Sequence, residues 1–227
     1  MKPYIVAITG ASGVVYGIRL VEVLAEQKIP VELVISDTAK IVMKEEGNYP
    51  GFEGLSLLVD KGDRHPLKNA QGEPVPAKKV PVPLVHVHDF NDFTAPIASG
   101  SYPVEGMVVI PCSMGTLGAI ASGLSQNLIH RAADCTIKEG RKLILVPRET
   151  PLSAIHLENM LKLSRLGVRI VPAMPAFYSG QQSVQELVDF LVGKVLDQMG
   201  IPHALFPRWV GKIDHGPQTT DYSHKHI

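Results

Sequence analysis

PCSMGTLGAIASGLSQNLIHRAADCTIKEGRKLILVPRE, residues Pro111–Glu149, decides how the rest of the chain is read. The apolar run Met107–Ile110 (MVVI) leads into it and closes on Pro-Cys-Ser-Met-Gly-Thr, while Leu143–Val146 (LILV) closes on Pro147-Arg148-Glu149. Short apolar runs bounded by turn residues read as buried strands of a parallel sheet. The helical pattern between them carries Arg131 and Lys138. Strand, helix, strand in that order specifies a right-handed crossover, and ligands of such open sheets collect just beyond the carboxyl ends of the strands. The polar residues that follow each run, with a guanidinium among them, are therefore the first candidates for holding an anion.

The same alternation extends outward in both directions. Tyr4–Thr9 reads as a strand, Gly10-Ala11-Ser12-Gly13 as a turn, and Val14, Ile18, Val21 and Ala25 fall at helical spacing. Val31–Ile35 is a second strand ending in Ser36-Asp37-Thr38, and Ala39–Glu46 starts a helix with a threonine or aspartate cap. Leu84–Val87 and Val168–Val171 read as strands, Leu152–Leu166 and Val184–Met199 as helices, and Asn91–Tyr102 (NDFTAPIASGSY) as a loop of small residues. The fold class is α/β with a mostly parallel sheet. Between Gly47 and Pro83, Gly, Pro, Lys and Asp displace any period, so this stretch is expected to be a surface insertion with at most a short helix over Leu55–Val59. The segment Ile201–Ile227, with Pro202, Pro207, Trp209 and Pro217, is expected to be an extended tail over a surface or a neighbouring subunit.

A chain of 227 residues with 45% hydrophobic content is sized for one domain, taken here as residues 1–227. Lys plus Arg equals Asp plus Glu at 22 each, so no net field favours nucleic acid or an anionic membrane, and any anion site must be local. MKPYIVAITGASG breaks into glycine too early for a signal peptide or a span, and no later run reaches the length a span requires. A cytoplasmic protein is expected. Cys112 and Cys135 are too few for a disulfide scaffold and read as small buried residues.

Gly10-Ala-Ser-Gly13 follows a strand and opens a helix, where backbone N–H groups and the helix dipole suit a phosphate. The spacing is not G-x-G-x-x-G, and a tight turn that needs glycine explains it equally well. Ser12 projects from that turn, and Ser36 stands where a dinucleotide fold offers an acid to a ribose diol; Asp37 next to it keeps that reading open, while a linear polyol suits a serine better. Glu46 and Glu149 are candidate proton-transfer carboxylates, with a solvated helix position as the plain alternative for Glu46. Arg131, Lys138, Arg148 and Lys194, with Tyr178, are the candidate partners of an oxyanion. His86-Val-His88 places two imidazoles on one face of a strand, but with no third ligand apparent and His215, His224 and His226 in a polar tail, no metal is expected.

Ser12, Ser36, PCSMGT, NLIHRAAD, VPRE, IHLENMLKLSRLG and PAFY, in that order, resemble the flavin prenyltransferases of the UbiX family, long described as aromatic acid decarboxylases. The resemblance covers the chain outside Gly47–Pro83 and the last dozen or so residues. It implies a Rossmann-like three-layer flavoprotein that joins the dimethylallyl group of dimethylallyl phosphate to N5 and C6 of reduced FMN without a metal. The product, prenylated FMN, would serve a UbiD-type decarboxylase. By position, Gly10, Ala11, Ser12, Ser36, Ser113, Met114, Gly115, Thr116, Arg131 and Arg148 match flavin contacts, and Lys138, Arg148, Tyr178 and Lys194 match the clamp on the prenyl phosphate. Phe93 matches an aromatic wall, Glu149 a proton relay, Ser12 and Glu46 supports for the flavin ring and the closure step, and Trp209 an aromatic cover from the C-terminal segment. Sites between subunits and a dodecamer are implied as well. Two departures stand out: lysine at 194 in place of arginine exchanges a bidentate fork for a point charge, and phenylalanine at 93 replaces tryptophan. The competing classes are an FMN-dependent decarboxylase, which would need a redox cysteine, and a noncatalytic FMN-binding subunit of a decarboxylase complex.

Overall fold

The computed structural model describes residues 1–47, 84–178 and 180–209. The body of the expected insertion with its short helix, and the tail beyond Trp209 with its three histidines, lie outside the described residues.

Strands β1 (Tyr4–Ile8), β2 (Val31–Ile35), β3 (Val85–His88), β4 (Gly106–Cys112), β5 (Lys142–Pro147) and β6 (Arg169–Ile170) form one sheet in the order β3-β2-β1-β4-β5-β6. Every neighbouring pair is parallel. This doubly wound order reverses direction between β1 and β4, which is where a ligand crevice opens. Helices α1 (Val14–Glu26), α2 (Asp37–Glu45) and α6 (Val184–Met199) cover one face; α3 (Met114–Ala121), α4 (Leu128–Lys138) and α5 (Ala154–Arg165) cover the other. The pleat divides β1 between two cores, Val6 and Ile8 facing α1 and α6, Ile5 and Ala7 facing α3 and α4.

Local chemistry explains the element ends. Ser36 itself, rather than Thr38 or Asp37, caps α2, its Oγ accepting from Ala39 N at 3.1 Å. The crossover after β4 is two helices because Ser113 and Asn127 each cap one, Asn127 accepting from His130 N at 3.0 Å. Ser153 caps α5 in a reciprocal box with His156, so that helix begins two residues later than its apolar period suggests. Strand β4 runs on through Pro111, which has no N–H to give; the β4–β5 register shifts between Val109 and Cys112, and the Pro111 carbonyl accepts from Thr9 N at 3.2 Å. Helix α1 is buried nearly all round because α6 lies against its outer side, and Arg19 Nε donates to Asp189 of α6 at 2.7 Å. Gly17 lets α1 press onto β4, since a Cβ there would run into the Ile110 carbonyl. No helix among the described residues is long and apolar enough to cross a membrane.

Candidate active site

Three turns meet beyond the carboxyl ends of β1, β2 and β4. In the first, Gly13 sits at φ 96°, a left-handed conformation, and a Cβ there would meet the Tyr16 ring at 2.8 Å. No side chain of the turn caps α1. The Glu46 carboxylate does so from the end of α2, accepting from Gly13 N at 3.0 and 3.1 Å and from Val14 N at 3.3 Å. Glu46 is thus not a solvated helix residue; it fills the amide seat that the sequence offers to a phosphate, where a negative charge meets the positive end of the helix. Ser12 stands exposed beside it, and Ser36 is buried with no acceptor for its hydroxyl hydrogen among the described residues.

At the third turn, Ser113 Oγ accepts from Thr116 N at 3.3 Å and lies 3.1 Å from Thr116 Oγ1, while Met114 and Gly115 form the first turn of α3. Ser113 N donates to Thr9 Oγ1 at 2.8 Å, and that hydroxyl donates to the Pro111 carbonyl at 2.9 Å. Thr9 is the positioning residue that sequence reading passed over: it locks the β1 and β4 ends together and is 1% exposed. Its only sequence signal is a hydroxyl residue at a strand end just before the glycine turn.

The end of β5 differs. Arg148, Glu149, Leu152, Met160, Pro172 and Met174 line a cavity of about 190 Å³. Arg148 Nε is buried and has no hydrogen-bond partner among the described residues. A buried guanidinium N–H is costly to leave unpaired, so its presence at a cavity wall fits an anionic guest. Glu149 is exposed, its carboxylate accepting from the adjacent Thr150 N at 2.9 Å and from no other group among the described residues.

Tyr178, Trp209 and Lys194 gather near α6. The Tyr178 ring stands edge-on to Trp209 at 6.0 Å and to Phe190 at 5.7 Å, and Lys194 lies one turn on from Phe190. Tyr178 and Trp209 are 57% and 67% exposed, which is unusual for paired large rings and suits a surface that is later covered. Lys194 pairs with Asp197 at 3.5 Å. Arg208 grips the same carboxylate through two hydrogen bonds of 2.8 Å, which hold Asp197 below the usual aspartate range.

Other candidates do not join these groups within one chain. Arg131 donates from Nε to the Ala98 carbonyl at 2.9 Å and pairs with Asp134 at 2.9 Å. Lys138 pairs with its neighbour Glu139. Helix α4 runs against the strand direction, so Lys138 lies four positions before β5 begins, at the sheet edge opposite Arg148. Crossing the six residues of β5 spans roughly 20 Å. Phe93 is 49% exposed in the loop after β3. Both cysteines are buried, and burial pushes the Cys112 thiol up, so neither is poised as a redox nucleophile.

An open parallel sheet with hydroxyl, amide and guanidinium groups at its carboxyl edge is a frame that a flavin can occupy, and a family model described as Flavoprotein matches residues 1–196, which makes the chain a flavoprotein. A flavin prenyltransferase UbiX of Alkalihalophilus pseudofirmus is 50% identical over 204 residues, covering 90% of this chain and 94% of that one. The solved structure of AnUbiX (PadA1) in complex with FMN and dimethylallyl pyrophosphate superposes with TM-score 0.77 at 39% identity, over 93% of this chain and 98% of its own. A dodecameric FMN-dependent UbiX-like decarboxylase from Escherichia coli O157:H7 gives TM-score 0.76 at 42% identity, over 92% and 100%. The chain belongs to the UbiX family of flavin prenyltransferases.

Proposed function

We propose that this chain, as a single flavoprotein domain in the cytoplasm, transfers the dimethylallyl group of dimethylallyl phosphate to reduced FMN and passes the prenylated FMN to a UbiD-type decarboxylase. The observation that carries the reading is the buried Arg148 Nε, without a partner among the described residues, at the wall of a small cavity beside Glu149. A guanidinium there neutralises the charge that grows on a departing phosphate, so no metal is required for cleavage of the carbon–oxygen bond.

The donor set fits a flavin mononucleotide. Ser12, Ser36 and the Ser113–Thr116 turn offer hydroxyl and amide donors for a polyol and a phosphate, while Glu46 holds the first turn rigid through the Gly13 and Val14 amides. Reduced FMN supplies the nucleophilic N5 and the C6 position that accept the prenyl carbons. Glu149, solvated and at the cavity rim, takes and returns the proton that ring closure requires. Tyr178 and Lys194 reach the phosphate from the other side, and Trp209, Tyr178 and Phe93 shield an allylic cation from water and stabilise it through their rings. The buried cysteines speak against the cysteine-dependent decarboxylase alternative.

Arg131 and Lys138 act from a neighbouring copy in this reading. Support comes from the position of Lys138 at the far sheet edge, from the dodecameric assembly of the Escherichia coli relative, and from Ile155, Leu157 and Leu161, which α5 leaves 68%, 52% and 52% exposed. The test is anaerobic incubation with reduced FMN and dimethylallyl phosphate, followed by mass measurement of the flavin. A gain of one prenyl group is expected; a flavin of unchanged mass beside an active control rejects the reading.

A further inference from the structure

Outside the crevice, the described residues hold one group whose donors converge: Glu32 of β2 with His86 and His88 of β3, one donor atom from each lying within 4.8 Å of the others. The β2–β3 register pairs Glu32 with His86 and Val34 with His88, so alternation turns both imidazoles and the carboxylate to the same face. His88 Nε2 lies 2.6 Å and His86 Nδ1 3.1 Å from the same oxygen, Glu32 Oε2. The other oxygen, Oε1, accepts from Tyr102 Oη at 2.6 Å. Sequence spacing showed only the two histidines; the third donor comes from the neighbouring strand.

We propose that Glu32, His86 and His88 bind a divalent transition-metal ion of the zinc class, which staples the edge strand β3 to β2. Two imidazoles and one carboxylate form a borderline donor set that suits zinc over magnesium or calcium. Metal bonds of about 2.0–2.2 Å require donors a little over 3 Å apart, which small side-chain shifts supply from the present spacing. On binding, each imidazole carries its proton on the ring nitrogen that does not face the metal. Tyr102 acts as the outer-shell donor that fixes the carboxylate, and burial of His88 and Glu32, at 7% exposure each, holds two of the three ligands in place. His86, with 66% of its side chain exposed, faces solvent and leaves room for a water as fourth ligand. The site is built on strand residues, Glu32 early in β2 and His88 the last of β3, and shares no residue with the groups assigned to prenyl transfer, so its role is at the sheet edge.

The test titrates the whole chain, stripped by chelator, with Co²⁺ and then Zn²⁺. Wild type is expected to take up one Co²⁺ per chain with the absorption of a tetrahedral site, to exchange it for Zn²⁺, and to melt roughly 5–10 °C higher when zinc is saturating. His86→Ala removes an exposed ligand without disturbing the core and is expected to weaken uptake at least about 10-fold and, at the same zinc concentration, to cut the melting shift by half or more. Glu32→Gln, close in shape, is expected to do the same. Equal affinity in wild type and His86→Ala, which would assign uptake to other histidines, or no uptake by wild type, overturns the proposal. Prenyl transfer is unchanged by zinc in either case, so the outcome is independent of the functional reading.

Discussion

The ends of β1 and β5 are both polar, both at the carboxyl edge of one sheet, and yet they are finished differently. At β1 the chain supplies its own anion: the Glu46 carboxylate occupies the amides of Gly13 and Val14. At β5 the Glu149 carboxylate turns to the adjacent Thr150 amide and not to the cation beside it, and Arg148 Nε is buried without a partner among the described residues. The first end is a closed electrostatic unit that fixes shape, whereas the second, in the proposed function, is completed by an anionic guest. The other candidate cations resemble the first end, since Arg131, Lys138 and Lys194 each pair with a carboxylate of their own helix or its C-terminal cap, Asp134, Glu139 and Asp197.

The sharpest way to break this contrast is at the open end. Glu149→Gln is expected to slow formation of the prenylated flavin by about 10²–10⁴-fold while FMN stays bound, read by single-turnover absorbance and flavin retention. A normal rate removes Glu149 from proton transfer. Arg148→Ala is expected to weaken dimethylallyl phosphate binding by roughly 10–150-fold with little loss of melting temperature, because its buried Nε has no partner among the described residues to lose. Arg148→Lys should recover only part of it, since a point charge lacks the fork. A large drop in stability would instead place Arg148 among the structural groups.

At the closed end the effect should appear in stability. Glu46→Ala is expected to cost about 1–2 kcal/mol in denaturant unfolding, the loss of a helix N-terminal acceptor. An unchanged midpoint would mean the amides find another partner and the contrast dissolves. The smallest effect belongs to Asp197. Its two hydrogen bonds from Arg208 lower its pKa from the ordinary 3.8, so the unfolded chain takes up the proton first as pH falls. The stabilisation is therefore whole above 3.8 and disappears as pH drops through the lower folded value. Because Arg208 is exposed, Asp197→Asn should remove only a few tenths of a kcal/mol at neutral pH, and it should flatten the acid limb of the stability curve.

Much of the frame is legible in single residues. Strand Val31–Ile35 and helix Val184–Met199 are found without shift, because burial on both faces of the sheet and an amphipathic face on α6 write their periods directly into the chain. Boundaries were harder where a side chain makes a choice that hydrophobic period does not encode: Ser36 capping α2, Asn127 dividing the crossover into α3 and α4, and Pro111 continuing β4 because its carbonyl still has partners. The candidate residues were recognisable by motif, but their partners were not. Glu46 and the Gly13 amide are 33 positions apart, and Glu32 and His88 are 56 apart, and no local pattern couples such positions.

By itself, then, the amino-acid sequence determined the α/β alternation, the hydroxyl-rich turns after the strands and the supply of cations, since propensity, period and turn chemistry act over a few neighbouring residues. Only the tertiary structure decided which charges are neutralised within the chain and which are left for a ligand. Electrostatic pairing depends on distance and burial, and the packing of elements sets both: strand register joins Glu32 to His86 and His88, and the return direction of α4 sends Lys138 to the edge opposite Arg148.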